Sequence, residues 1–246
     1  MLRSFITLVF IICLSPVYAS TFLGVDENNT FCSPKGDYFL KDVEVIKSVN
    51  GDAEYSTDIN SWEHEMWRAA NAAANSATAC LKDGLRKQNC KNIISSLNSW
   101  ASENALEFPV YGKKSWSSSA YISNHVLISM LEAFAVADAR LKLSEEEKAT
   151  AKNWFRDVLL RADKRKDGIV NNHRTVWVIA AAKYAAIFND EEFKNEAAIE
   201  LKRYFSSITD EGVMPYEANR GSRALFYTFR QASFLMALMD VPIILT

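Results

Sequence analysis

Two short runs concentrate the side chains that could do chemistry. In "GIVNNHRTVW", residues 168–177, Asn171, Asn172, His173 and Arg174 follow one another at the mouth of an alanine-rich apolar run. In "VMPYEANRGSRALFYTFRQASF", residues 213–234, Arg220, Arg223, Tyr227 and Arg230 recur so that, at about 100° per residue, they share one stripe of a helix that is otherwise apolar. Arginine forks match carboxylates in a bidentate way. A tyrosine among arginines has its phenolate favoured, which suits proton transfer. One asparagine of the pair is expected to do no more than cap a helix. Asn172, His173, Arg220 and Tyr227 are the expected catalytic set, with Arg174, Arg223, Arg230 and Trp177 expected to contact substrate. The set suits a carboxylated ligand and needs no metal and no cofactor.

The chemistry that calls for these residue types is β-elimination from a uronic acid. The C5 proton lies α to a carboxylate, so it leaves only if that negative charge is neutralised and the enolate-like anion is stabilised. Asparagine, histidine and arginine do this electrostatically. A tyrosine can take the C5 proton and hand one to the departing C4 oxygen when both lie on one face of the sugar.

The elements that must hold these groups are helical. From Ser61 onward the apolar residues recur with helical period, predicting helices near 61–84, 90–106, 119–143, 144–165, 171–189, 190–208 and 220–240. Ser144 with Glu147 forms a capping box. Ile93, Leu97 and Trp100 are spaced for one buried face. Only 8 Gly and 5 Pro interrupt the 246 residues, and the expected architecture is all-α, in antiparallel helix pairs joined by short loops. Residues 20–60 mix Gly, Pro, Asn and Asp with short β-branched runs and read as an irregular N-terminal segment with at most one short strand. His64 and His125 lack companions that suggest chemistry, although His125 has the option of lining a cleft.

Residues 1–19 have the form of a signal peptide: Arg3, an apolar run from Phe5 to Leu14, then "SPVYA" with cleavage expected after Ala19. They carry one arginine and no acid, so the net charge of −2 becomes −3 without them. That mild negative charge argues against a nucleic-acid binder. A periplasmic or secreted protein, monomeric and without a membrane span after cleavage, is expected. In an exported chain Cys32, Cys80 and Cys90 admit a disulfide, either within Cys80–Cys90 or from Cys32 to Cys90; the spacings fit no zinc pattern.

With both motifs in view, the chain resembles the mannuronan-type alginate lyases of the chondroitin AC/alginate lyase superfamily. "NNHRTVW" is similar to the Asn-Asn-His of that family, and "MPYEANRGSRALFY" to its Leu-Pro-x-Glu-(x)2-Arg-(x)2-Arg-Ala-Leu-x-Tyr. The spacing from His173 to Arg220 is similar too, and weaker likeness runs through "FCSP", "CKNIISSLNSWA" and "LEAFAVADARLKL". The resemblance implies an (α/α) toroid over residues 61–246, as an incomplete α/α barrel because members continue for several helices beyond the tyrosine helix. It implies Asn172 and Arg220 on the substrate carboxylate, Tyr227 as base and acid, and His173 sharing proton transfer. It also implies a lid loop within residues 20–60 that offers Tyr55, and a Cys32–Cys90 disulfide that leaves Cys80 as a thiol. Where members carry an aromatic residue soon after the histidine, this chain has Thr175 and Val176.

The expected function is therefore cleavage of a β-1,4-linked polyuronate, mannuronate-rich alginate foremost, leaving a 4,5-unsaturated uronate end. The competing reading is a non-catalytic polyuronate-binding or cell-envelope protein on a shortened lyase scaffold.

Overall fold

The computed structural model describes residues 38–49, 62–107 and 116–239, the side chains of residues 62, 63, 116, 167, 223, 230, 233 and 236–239 excepted. The expected leader, Cys32 and Tyr55 lie outside the described residues. Eight α-helices follow in the described chain: α1 (Trp62–Lys82), α2 (Gln88–Ser102), α3 (Trp116–Leu141), α4 (Glu145–Arg161), α5 (Asn172–Phe188), α6 (Glu191–Ser207), the single turn α7 (Pro215–Ala218) and α8 (Ala224–Met239). Residues 38–49 contribute a 3-10 turn at Leu40–Asp42 and one isolated parallel bridge, Ser48 to Glu107.

Local chemistry sets the helix ends. Ser144 Oγ accepts from the Glu147 N–H at 3.3 Å, while Glu147 Oε2 accepts from the Ser144 N–H at 2.8 Å. The Ser144 N–H and hydroxyl, both donating to the Glu147 carboxylate, hold it below its ordinary pKa. Glu145, Glu146 and Glu147 complement the positive end of α4, and Arg161 its negative end. Asp190 caps α6 through the Phe193 N–H, and Asn189 closes α5 in the left-handed region at φ 52°.

The burial pattern separates two layers. On α4 the buried residues are Ala151, Trp154, Phe155, Val158 and Leu159, one stripe at i, i+3, i+4, i+7 and i+8. The other faces of α4 meet water, and α2 and α6 follow the same rule. On α5, by contrast, burial runs without a break from Arg174 to Ala182, all round the helix. A helix buried on every side must have neighbours on every side. Indeed α1 packs on α3, α3 on α5, and α5 on α8, while α2, α4 and α6 back them from outside. Helix α3 is long and apolar enough to cross a bilayer, but 83% of its most apolar window is buried inside the protein, which is the signature of a core helix. An inner row α1, α3, α5, α8 and an outer row α2, α4, α6, alternating along the chain, is the layering of an α/α toroid.

One expectation is overturned. Cys90 is bonded to Cys80, with Cα atoms 4.6 Å apart, and so is not paired with Cys32. The bond ties the C-terminal end of α1 to the first turn of α2, where both sulfurs are fully buried. Likeness to a family pattern favoured the longer link, but the turn at residues 83–87 already brings Cys80 and Cys90 side by side. Helix α8 also starts later than its apolar pattern predicts: Gly221 takes φ 60°, which a side chain resists, and a 3-10 turn at Gly221–Arg223 precedes it.

A loop with a sequence separation of 10 gains roughly 3 kcal/mol when closed by a disulfide. The double variant Cys80→Ala/Cys90→Ala should therefore melt roughly 5–10 °C below the parent, read by circular dichroism. An unreduced digest should yield a peptide cross-linked through Cys80 and Cys90; one linking Cys32 to Cys90 would contradict the assignment.

Candidate active site

The site is built on the first turn of α5, the turn before α8 and α8 itself, with α3 packed beside α5. Asn171 caps α5, its Oδ1 accepting from the Arg174 N–H at 3.2 Å, so the first asparagine of the pair has the ordinary role expected of one of them. Asn172 begins the helix and is 1% exposed. Its Oδ1 accepts from Arg220 Nη2 at 3.1 Å, across 48 positions of sequence. The Arg220 guanidinium in turn lies 4.2 Å from the centroid of the Tyr227 ring, a cation–π arrangement. Asn172, Arg220 and Tyr227 are thus in sequential contact, and His173 follows Asn172 directly on α5.

Arg220 is not on the tyrosine helix, as the periodic stripe suggested. It sits in the turn before it, and the left-handed Gly221 folds it back over Tyr227. The side chains of Arg223 and Arg230 lie outside the described residues.

His173 lies flat against Tyr121 of α3, ring centroids 4.0 Å apart and planes 20° from parallel. Tyr121 meets His125, one turn further along α3, edge-on at 4.6 Å. His125 is 5.2 Å from Trp67 of α1 and 6.1 Å from Phe234 of α8. All four inner helices therefore contribute to one aromatic wall beside His173. Trp67, Tyr121, His125 and His173 lie in the N-terminal halves of their helices, and Phe234 in the second half of α8.

Two sequence expectations fail on burial. Arg174 is 2% exposed and gives both Nε and Nη2 to Glu200 of α6, at 2.7 and 2.6 Å. It is a strut between α5 and α6 and cannot reach a substrate. Trp177 is fully buried, donates its indole N–H to the Leu159 carbonyl at 3.0 Å, and has Arg165 stacked 4.3 Å from its ring. It is core and offers no face to a sugar. His64 is exposed.

Sequence reasoning missed the groups that brace the site. Glu217, 1% exposed on α7, accepts from the Asn172 N–H at 2.7 Å and pairs with Arg220 Nε at 2.8 Å. Tyr204 of α6 donates its hydroxyl to the Asn171 carbonyl at 2.9 Å. Burial pushes the Tyr204 phenol above its ordinary pKa, which keeps it a neutral donor. Gln231 of α8 donates to Thr175 Oγ1 at 2.5 Å. One signal was available: Tyr121 and His125 are four apart on a helix and so share a face.

Comparison with known proteins gives the family and the fold. The alginate lyase family model matches residues 37–241. The chain belongs to the alginate lyase family. Among solved structures it is similar to alginate lyase A1-III, in a single-substitution variant complexed with a tetrasaccharide, at 13% identity and TM-score 0.62, over 92% of this chain and 69% of that one. It is likewise similar to alginate lyase A1-III from Sphingomonas species A1, at 13% identity and TM-score 0.57, over 92% and 70%. At that identity the likeness shows the all-α toroid fold. No curated protein matches the chain in sequence. Family membership and fold together support polysaccharide lyase activity on alginate.

Removing one partner of the Arg174–Glu200 pair leaves a buried charge uncompensated, at a cost of about 3–5 kcal/mol. Arg174→Met and Glu200→Gln should each lower denaturant stability by that order, measured by urea unfolding. A loss of substrate affinity at unchanged stability would restore Arg174 as a binding residue.

Proposed function

We propose that this alginate lyase cleaves β-1,4-linked polyuronate by β-elimination, with mannuronate-rich alginate as its preferred substrate. The observation that carries the reading is the contact chain Asn172–Arg220–Tyr227, with His173 adjoining, whose first link joins residues 48 positions apart.

In this mechanism the carboxylate at C5 is met by Asn172 and Arg220, with His173 beside them. Hydrogen bonds to the carboxylate strengthen as the C5–H bond breaks and charge spreads onto its oxygens. Tyr227 takes the C5 proton. The C5 electron pair then forms the C4=C5 double bond as the C4–O bond breaks, and the leaving oxygen receives a proton from Tyr227. Tyr227 carries out both transfers with its ring 4.2 Å from the Arg220 guanidinium. The proposed cycle calls for no metal ion.

Export through residues 1–19 to the periplasm or beyond, and a monomeric state, belong to the same proposal and rest on the leader-like sequence and on the polymeric substrate. So does a contact from Tyr55 and from Arg223 and Arg230.

The expected result is that the parent protein raises the ultraviolet absorbance of poly-mannuronate solutions faster than those of poly-guluronate or poly-glucuronate. Tyr227→Phe should lower kcat by about 100-fold or more, the usual worth of a positioned acid–base group, with little change in KM. Parental activity in that variant would overturn the role of Tyr227. Polyuronate binding by the parent without any absorbance change would favour the non-catalytic reading instead.

A further inference from the structure

Glu217 occupies an unusual place for an acidic residue in a site meant for polyanions. It is 1% exposed, and its two oxygens divide their partners between two distant segments. Oε1 accepts the Asn172 N–H at 2.7 Å. That N–H belongs to the first turn of α5, where no intrahelical acceptor exists, and Asn171 already serves the Arg174 N–H. Oε2 lies 2.8 Å from Arg220 Nε. Arg220 is therefore held at its Nε edge by Glu217, and extends Nη2 to Asn172 Oδ1 at 3.1 Å.

A primary amide has one acceptor end and one donor end. Because the guanidinium holds the oxygen, the Asn172 amide must present its NH2 on the other side. The opposite flip would set donor against donor. Asn172 Nδ2 is buried and has no hydrogen-bond partner in the protein. A buried donor in that condition calls for an acceptor, and a carboxylate bound at the site would supply one.

We infer that Glu217 is a positioning residue for elimination: acting through Arg220, it fixes the Asn172 amide with its NH2 turned to the substrate carboxylate. The inference rests on the lyase reading above. It assigns the carboxylate two effects of different sign. Glu217 aligns the donors that stabilise the transition state, and it also offsets the positive charge of Arg220. Removing its charge disorders the alignment but leaves the site more cationic, so turnover falls while attraction for a polyanion does not.

The test is steady-state kinetics of the full chain on poly-mannuronate with Glu217→Gln, Arg220→Ala and the double variant. Glutamine still accepts the Asn172 N–H but sets its own NH2 against Arg220 Nε. Glu217→Gln should lower kcat by ~100-fold, the scale of a misaligned catalytic group, with KM unchanged or lower. In the Arg220→Ala background the same change should cost almost nothing further, since Glu217 acts through Arg220. A purely structural role would instead lower the melting temperature and leave the kcat of the folded fraction unchanged. Should Glu217→Gln fail to fold, Glu217→Asp replaces it, with the same split expected. Parental kcat in the variant, or losses that multiply in the double variant, would overturn the inference while the lyase reading stands. A parent inert toward poly-mannuronate, poly-guluronate and poly-glucuronate would overturn that reading, and this inference with it.

Discussion

The arrangement depends on one buried carboxylate at the junction of two segments far apart in sequence. Glu217 joins the first peptide N–H of α5 to the side chain of Arg220, and every other contact of the site is built outward from that link. Arg220 reaches Asn172 on one side and Tyr227 on the other. Charged groups buried to this degree are retained only when their partners are in place, so the four residues stand or fall as a unit. The cost of burying the carboxylate is met by the Asn172 N–H on one oxygen and the Arg220 ion pair on the other, while Arg220 also donates from Nη2 to Asn172.

The surrounding fold explains why such a junction can exist. Helix α5 is enclosed by α3, α8, α4 and α6, and its alanines at 180–182 let those neighbours approach closely. Its first turn is then fixed by three independent holds: Asn171 as cap, Tyr204 on the Asn171 carbonyl, and Glu217 on the Asn172 N–H. The Arg174–Glu200 pair locks the next residues to α6. A second wall, from Trp67, Tyr121, His125 and Phe234, supports His173 from the inner helices. Rigid elements hold the reactive groups, as a preorganised electrostatic site requires.

Much of this was legible in the sequence, because local rules set it. Helix period, the Ser144 capping box and the Asn171 cap depend on residues a few positions apart, and the structure has them where the pattern places them. The contact of Asn172 with Arg220 was legible only through likeness to a family motif, since nothing local links positions 48 apart. Where residue type alone was used, tertiary packing overruled it. Arg174 and Trp177 look like ligands for a charged sugar, yet each points to the interior face of an all-round buried helix and finds its partner there. Period alone ran α8 back through Arg220, but the positive φ of Gly221 starts it at Ala224. The pairing of Cys90 turned on the short loop after α1, a matter of three-dimensional proximity that sequence likeness did not reveal. Glu217 was passed over because an acid near a polyanion site has no evident use until its two partners are seen.

The central claim is that these groups carry out elimination on a polyuronate, and the mass of the product tests it most directly. Oligosaccharides released from poly-mannuronate by the purified protein should be lighter by one water than the corresponding hydrolysis products, with the C4=C5 alkene at the non-reducing end in the proton spectrum. Saturated products, or a polymer left intact, would contradict the account.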